Sequence, residues 1–345
     1  MPPSAANLAS QKSVACIEQI PQAVAEEARR GLLSSPKTLA PWLFYDEAGS
    51  SLFEQITVLP EYYLTRAERA IFVAHADDIF DCVGGNLTIA ELGAGTATKT
   101  GVLLQALASR QGAVSYQPID ISPSALDEAQ VQLEAAIPGV AVQPCVANYV
   151  TDGYCIARSA DEHVLALYIG SSIGNFSPAE GRSILAGLRA QLLPGDALLL
   201  GTDLAPCQAE ATHAAKSVST LLAAYNDKQG VTAAFNQNVL LRLNRDLGAN
   251  FRPEQFSHRA LWNPTQSRIE MHLESLSPQR VTIPENEVGP AMHINFFSGE
   301  TIHTENSYKF TPATIAALLG ESGFTPTRTF TDSGSLFAVT LAVAV

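Results

Sequence analysis

Between residues 87 and 204 short apolar runs alternate with stretches of helical periodicity. The runs are LTIAELG, VSYQPIDIS, VAVQPCVAN, HVLALYIGSS and DALLLGTDL, and each ends in polar residues or glycine. The gaps hold amphipathic patterns over Lys99–Arg110, Ser122–Ala136 and Pro178–Leu193. Such alternation predicts a parallel sheet covered by helices on both faces, because each right-handed crossover needs a helix. Ligands then belong at the carboxyl ends of the strands. From 205 to 303 the rhythm breaks. A helical region runs through Leu221, Leu222 and Tyr225 and another over Asn236–Leu247, followed by strand-like RIEMHLESL and QRVTIP. The first pattern then resumes with a helix over Thr311–Ser322, a strand TPTRTFT, a DSGS turn and a strand LFAVTLAVAV that closes an antiparallel hairpin.

The turn after the first strand is Glu91-Leu92-Gly93-Ala94-Gly95-Thr96. Glycines at a strand-to-helix switch let backbone approach a ligand without Cβ clashes. A dinucleotide fold would place a third glycine where Thr98 stands. The E-x-G-x-G form instead resembles the S-adenosylmethionine turn of class I methyltransferases, where no phosphate has to be cradled. Asp120, ending the second strand, is placed to accept hydrogen bonds from both ribose hydroxyls. Glu91 reads either as part of this turn or as a solvated strand-end charge, and Lys99 as a ligand contact or a helix-surface lysine. Asn148 and Tyr149, ending the third strand, read as an adenine contact and a stacking ring or as plain loop residues. Turn, acid and strand order predict an α/β fold: a class I methyltransferase, doubly wound seven-stranded sheet with a second, α+β substrate lobe. The expected boundaries are 1–66 for the N-terminal part of that lobe, 67–204 for the core, 205–309 for the inserted part of the lobe, and 310–345 for the helix and hairpin that complete the core.

Composition narrows the choice. The 345 residues are 46% hydrophobic, which suits about two soluble domains, and 34 acidic against 21 basic residues leave a charge of -13. A surface so acidic repels phosphate backbones and anionic lipids, and the arginines from Arg242 to Arg268 are too diluted to form a basic patch, so neither nucleic acid nor membrane is expected as a partner. The strand-four end, Gly170 to Phe176, lacks the N-P-P-Y type signature that grips an exocyclic amine in DNA and protein amide methylases. Five scattered cysteines without C-x-x-C spacing fit a reducing cytoplasm rather than disulfides or zinc. The N-terminus lacks a secretion-signal pattern, and a monomer is the default expectation.

Several longer motifs resemble one family. They are YDEAGSSLFEQITVLPEYYLTRAE at 45–68, ELGAGTATKT at 91–100, IGSSIGNFSP at 169–178, the LLAAYNDKQGVTAAFNQNVLLRLNRDLGANF block from 221, RIEMHL at 268–273 and GETIHTENSYKF at 299–310. Over residues 40–340 the chain resembles the histidine-specific, S-adenosylmethionine-dependent Nα-methyltransferases of ergothioneine biosynthesis, which make trimethylhistidine (hercynine). The resemblance implies S-adenosylmethionine as cofactor, held by Gly93, Lys99, Asp120, Asn148 and Tyr149. It implies L-histidine as substrate, with Tyr62, Asn175 and Tyr225 at its carboxylate and amine and Tyr45 near the amine, Tyr45 and Asn175 serving the transfer itself. Glu305 and Ser307 of TENS are then the pair that recognises the imidazole, with Met271 as a pocket wall and Asn306 among the substrate-binding residues. The chemistry agrees, since an imidazole offers one donor and one acceptor, which a carboxylate and a hydroxyl two residues apart on a strand can read.

Two features depart from the family: an acid is usual at Asn148, and the segment 205–218 is longer than the family's connection. A metal is not expected, because His272 beside Glu270 and His303 beside Glu305 show no third ligand in the sequence. The alternatives are a methyltransferase of another aromatic amino acid such as tryptophan, which offers only a donor, and a catalytically silent regulatory protein on the same scaffold.

Overall fold

The computed structural model describes residues 21–158, 161–206 and 216–345. The N-terminal tail, Cys16, Cys207 and residues 207–215 of the long connection lie outside the described residues. In chain order the helices are α1 (residues 21–32), α2 (Glu47–Thr57), α3 (Leu64–Val83), α4 (Thr100–Gln111), α5 (Pro123–Ala136), α6 (Pro178–Arg189), α7 (Val218–Ala224), α8 (Val231–Leu247) and α9 (Pro312–Glu321). The first strands are β1 (Lys37–Thr38), β2 (Asn86–Leu92), β3 (Val114–Asp120), β4 (Val140–Val142), β5 (Cys145–Val146), β6 (Glu162–Tyr168) and β7 (Ala197–Asp203). After them come β8 (Phe256–Asn263), β9 (Arg268–Ser275), β10 (Gln279–Ile283), β11 (Met292–Phe296), β12 (Thr301–Tyr308), β13 (Phe324–Thr331) and β14 (Phe337–Ala344).

The chain forms two compact units. One comprises Met1–Leu59, Leu222–Trp262 and Glu270–Glu305; the other comprises Pro60–Leu221, Asn263–Ile269 and Asn306–Val345. The dividing points therefore differ from the expected 66/67, 204/205 and 309/310. The whole of α3 packs on α4, β7, β13 and β14, which draws the chain from Pro60 into the second unit. Lys216 bonds the buried Asp203 carboxylate, which draws the chain before α7 there as well.

In the second unit the strands lie in the order β13-β14-β7-β6-β2-β3-β4, with β5 also beside β3. Strands β2, β3, β4, β6 and β7 run parallel, β14 is antiparallel to β7, and β13 is antiparallel to β14. This is the class I methyltransferase sheet. Every residue of β7 is buried and β6 is buried from Val164 onward, as a sheet covered on both faces requires. The core between sheet and helices includes Val164, Ala166, Tyr168, Leu198 and Leu200 packed with Leu185, Leu188, Leu319 and Phe324. One expected strand, VAVQPCVAN, is two. Pro144 has no N–H to give the ladder, so β4 stops at Val142, and the sheet holds eight strands where seven were expected. Helix starts follow side-chain caps: Ser122 before α5, a Ser177–Glu180 capping box before α6 and a Thr311–Thr314 pair before α9, each with proline next. Helix α6 ends at Arg189 rather than Leu193: past it the chain tightens into i−3 turns, with Gln191 N donating to Leu188 O at 2.9 Å and Leu192 N to Arg189 O at 3.1 Å.

The first unit holds a four-stranded sheet, β1-β12-β9-β8, a β10-β11 hairpin and the packed helices α2 and α8. Strands β8 and β11 were not expected from the sequence, whereas β9 and β10 were. Among the described residues no helix is long and apolar enough to cross a membrane.

Asp46 caps α2 by accepting from Gly49 N at 2.8 Å and also bonds Asn238 and Arg245 at 2.7 Å each. Burial alone would raise its pKa, but these three partners hold it below the usual carboxylate value. A depressed folded pKa contributes stability that is present above the unfolded value of about 3.9 and is lost as pH falls through the folded one. Asp46→Ala is expected to cost about 1–2 kcal/mol at neutral pH and to flatten the acid limb of the stability curve. Urea titration from neutral pH to about pH 3 checks this; an unchanged acid limb counts against it.

Candidate active site

The carboxyl ends of β2, β3, β6 and β7 meet along one edge of the second unit's sheet. At the end of β2, Gly93 and Gly95 have φ of 68° and 54°, in the left-handed region that glycine tolerates. Gly93 N donates to Ile119 O at 2.8 Å, and Gly95 N donates to Asp120 Oδ2 at 2.9 Å, so the turn after β2 is pinned to the end of β3. Asp120 Oδ1 accepts from Ser122 N at 2.9 Å. Burial raises the Asp120 pKa against these bonds, and the carboxylate keeps further lone pairs for a diol. Tyr149 lies 3.5 Å from where a Gly93 Cβ would be, its ring edge-on to Tyr168 at 5.7 Å. Burial pushes the Tyr149 phenol up to about 12, so it stays neutral. A Cβ on Gly95 would meet nothing within 4 Å, leaving open space above the turn. The structure thus brings Gly93, Asp120 and Tyr149 together.

Asn148 and Lys99 are placed differently from the simplest expectation. The Asn148 side-chain oxygen accepts from Val150 N at 3.0 Å, closing its own loop. Lys99 Nζ bonds Glu68 Oε2 at 2.7 Å. Glu68, fully buried on α3, also accepts from Gly170 N at 2.8 Å, so one carboxylate joins the helix after the β2 turn to the end of β6. A Cβ at Gly201 would collide with it. Glu68 was missed from the sequence, although its spacing within the buried stripe Leu64, Ala67, Ile71 and Phe72 marks an acid inside an apolar face.

Glu91 is no solvated charge. It is 2% exposed and accepts from Thr100 Oγ1 at 2.7 Å and from Tyr116 OH. Burial raises its pKa to about 7, against those hydrogen bonds and the charge of Lys99.

The candidate substrate residues fall in both units. In the second, Tyr62 is buried and its carbonyl accepts from Arg66 at 3.2 Å. Asn175 closes a 3-10 turn, Ser172–Asn175, that begins after the left-handed Ser171, and Gly174 within it lies so close to Tyr308 O that a Cβ would stand at 2.9 Å. Asn306 Oδ1 is buried without a hydrogen-bond partner. Ser307 Oγ accepts from Lys309 Nζ at 2.7 Å. In the first unit, the Tyr45 ring packs edge-on against Phe53 and Phe235. Tyr225 is buried, and its carbonyl accepts from His258 Nε2 at 2.8 Å. Met271 lies on the buried face of β9 with Ile269 and Leu273, and Glu305 on β12 is 8% exposed. Asn236 on α8 bonds His258 Nδ1 at 2.9 Å, His272 O at 3.0 Å and Thr304 Oγ1 at 2.7 Å, bracing the strands that carry Met271 and Glu305.

The third metal ligand missing from the sequence is present in space: Glu270, His272 and His303 offer ligand atoms within 4.8 Å of one another. As they stand, Glu270 Oε2 pairs with His272 Nε2 at 3.2 Å, the two imidazoles stack at 4.6 Å, and His303 Nε2 donates to Glu305 O at 3.0 Å.

Residues 24–344 match the family model described as histidine-specific, S-adenosylmethionine-dependent methyltransferase. The chain is 37% identical to histidine N-alpha-methyltransferase of Mycolicibacterium smegmatis, over 93% of this chain and 95% of that protein. It is also 37% identical to the Mycobacterium tuberculosis protein of the same name, over 93% and 94%. It is 30% identical to ergothioneine biosynthesis protein 1 of Neurospora crassa, over 73% of this chain and 29% of that longer protein.

A raised folded pKa on an acid means that the native state holds its proton longer than the unfolded chain does. Glu91 therefore subtracts stability as pH rises from its ordinary 4.5 to about 7, and no more above that. Glu91→Gln is expected to abolish this slope, read from denaturant midpoints across that range; a slope unchanged from the parent counts against a buried, proton-sharing Glu91.

Proposed function

The chain belongs to the histidine-specific, S-adenosylmethionine-dependent methyltransferase family, and on that premise we propose that it transfers three methyl groups in succession to the α-nitrogen of L-histidine. The product is trimethylhistidine, and the reaction opens ergothioneine biosynthesis. The observation that carries the choice of substrate is the pair Glu305 and Ser307, two residues apart on β12 and only 8% and 3% exposed. A carboxylate accepts and a hydroxyl both donates and accepts, so the pair has the chemistry to read an imidazole's N–H and its lone-pair nitrogen. An indole has one N–H donor and no acceptor nitrogen, so it matches the pair less fully than an imidazole does.

The cofactor supplies an electrophilic methyl on a sulfonium. The residues at the β2 and β3 ends fit it: Asp120 has acceptor capacity for a ribose diol, and the Gly93–Gly95 turn leaves space above itself. This chain's part in the transfer is to orient. The amine must arrive neutral with its lone pair in line, at about 3–3.5 Å from the carbon, so proximity carries most of the rate. Tyr45, Tyr62, Tyr225 and Asn175 are assigned to the amine and carboxylate. Tyrosine faces suit a growing methylammonium, at about 0.5–2 kcal/mol each. The scattered cysteines fit a cytoplasmic location for this chemistry.

Incubation with S-adenosylmethionine and a panel of free amino acids, followed by mass, is expected to add three methyl groups to histidine alone; methylation of tryptophan instead would overturn the reading. Glu305→Ala is expected to raise the histidine KM by more than about tenfold while calorimetric affinity for S-adenosylmethionine stays at the parent value.

A further inference from the structure

Glu68 is a fully buried acid on α3 whose two oxygens accept from different elements. Oε1 accepts from Gly170 N at 2.8 Å and Oε2 from Lys99 Nζ at 2.7 Å. Two glycines keep room for this pair. A Cβ on Gly201 would collide with Glu68 Oε1, and a Cβ on Gly170 would stand 2.9 Å from Lys99 Nζ. Gly201 lies inside the fully buried β7, where a glycine weakens a strand and marks a close approach; what approaches here is the carboxylate.

Lys99 directly precedes α4, just past the glycine turn that ends β2, and its ammonium reaches the end of the neighbouring β6. An ammonium has three donors and no acceptor. Glu68 takes one of them; among the described residues Nζ makes no other hydrogen bond, and the side chain stays 27% exposed. Because the strands lie in the order β6-β2-β3, the Lys99 ammonium and Asp120 stand on opposite sides of the glycine turn. S-adenosylmethionine laid across that turn with its ribose at Asp120 brings its amino-acid end to β6, and the carboxylate there is its one anionic group.

We propose that Glu68 is a positioning residue for the cofactor: it fixes the Lys99 ammonium at the end of β6 as the donor that receives the cofactor carboxylate. This rests on the reading that Lys99 meets the cofactor. An untethered lysine has about 2 kcal/mol of rotamer entropy to lose on binding, and the tie to Glu68 removes that loss beforehand. The double tie needs a glutamate. Glutamine has one acceptor oxygen, so its NH2 group would face either the Gly170 N–H or the ammonium. Aspartate keeps the charge but is one methylene too short to reach both partners. Positioning and plain charge have opposite signs, since a second carboxylate near the ammonium repels the cofactor's own. If charge were the larger effect, removing it would tighten binding.

The test measures calorimetric affinities of the full chain for S-adenosylmethionine and for methylthioadenosine, which keeps adenine, ribose and sulfur but has no amino-acid end. Glu68→Gln is expected to raise the S-adenosylmethionine Kd by about tenfold, the worth of one charge-assisted hydrogen bond. The methylthioadenosine Kd is expected to stay near the parent value, so the preference between the two ligands narrows. Glu68→Asp is expected to behave as Glu68→Gln does. Equal losses for both ligands would show a merely structural role and overturn the proposal, as would unchanged or tighter S-adenosylmethionine binding in Glu68→Gln, or parent affinity in Glu68→Asp. Lys99→Met tests the underlying reading and is expected to weaken S-adenosylmethionine at least as much. If Lys99→Met does not fold, because it leaves Glu68 as an unanswered buried charge, the double variant Glu68→Gln/Lys99→Met takes its place. Parent affinity in that arm would end the cofactor reading of Lys99 and the proposal with it. A loss there beside an unchanged Glu68→Gln would overturn the role of Glu68 alone.

Discussion

The second unit depends on a carboxylate with no exposed surface. Asp203 ends β7, and its oxygens bind Lys216 ahead of α7, Lys309 after β12 and Tyr63 ahead of α3. Three segments that are remote in sequence therefore converge on one side chain. A buried charge costs several kcal/mol unless every lone pair is answered. Here the answer comes from two ammoniums and a phenol, while the backbone of the same residue donates to Ser171 Oγ at 2.9 Å and accepts from Phe310 N at 2.9 Å. Removing any one partner would leave the others buried and unbalanced, so the hub fixes where β7, β12 and α3 begin or end.

The same device recurs along the sheet's carboxyl edge. Gly95 N, after β2, is held by Asp120 at the end of β3; Gly170 N, after β6, is held by Glu68 from α3; Asp203 N, in β7, is held by Ser171. Each strand end is thus tied by a side chain from another element rather than by ladder bonds, which cannot continue past the last residue. The left-handed turns at Gly93, Gly95, Gly170 and Ser171 have φ between 54° and 75° and are kept in place by those ties. This is what gives a displacement reaction its demand for fixed distances a physical basis.

The parallel sheet, its order and the cofactor turn were legible in the sequence because each strand is a short apolar run and the gaps between runs carry helical periodicity; α5, α6 and α9 begin at the capping residues Ser122, Ser177 and Thr311. What stayed hidden has common causes. Pro144 split one apolar run into two strands, a backbone effect that hydropathy does not register. In β8 burial does not alternate cleanly, so a period of two is not visible there. Glu68 and Asn236 each sit inside the apolar stripe of a helix, where residue type alone reads as surface; only their spacing against buried neighbours marks them. The Glu270, His272 and His303 cluster joins two strands separated by the whole β10–β11 hairpin, a relation that no local motif contains.

The acids of the site are divided by what answers their charge. Asp203 meets two cations and stays ionised, Glu68 meets Lys99, and Asp120 meets only backbone N–H groups and has its pKa raised by burial. Glu91 meets hydroxyls and is raised to about 7. None of these is placed as a general base, and a methyl transfer to an amine needs none once the amine is neutral. The net charge of -13 is therefore a poor guide to the chemistry. What matters is the arrangement of a few buried carboxylates, each matched to a partner that decides whether it holds a proton, a lysine or a strand end.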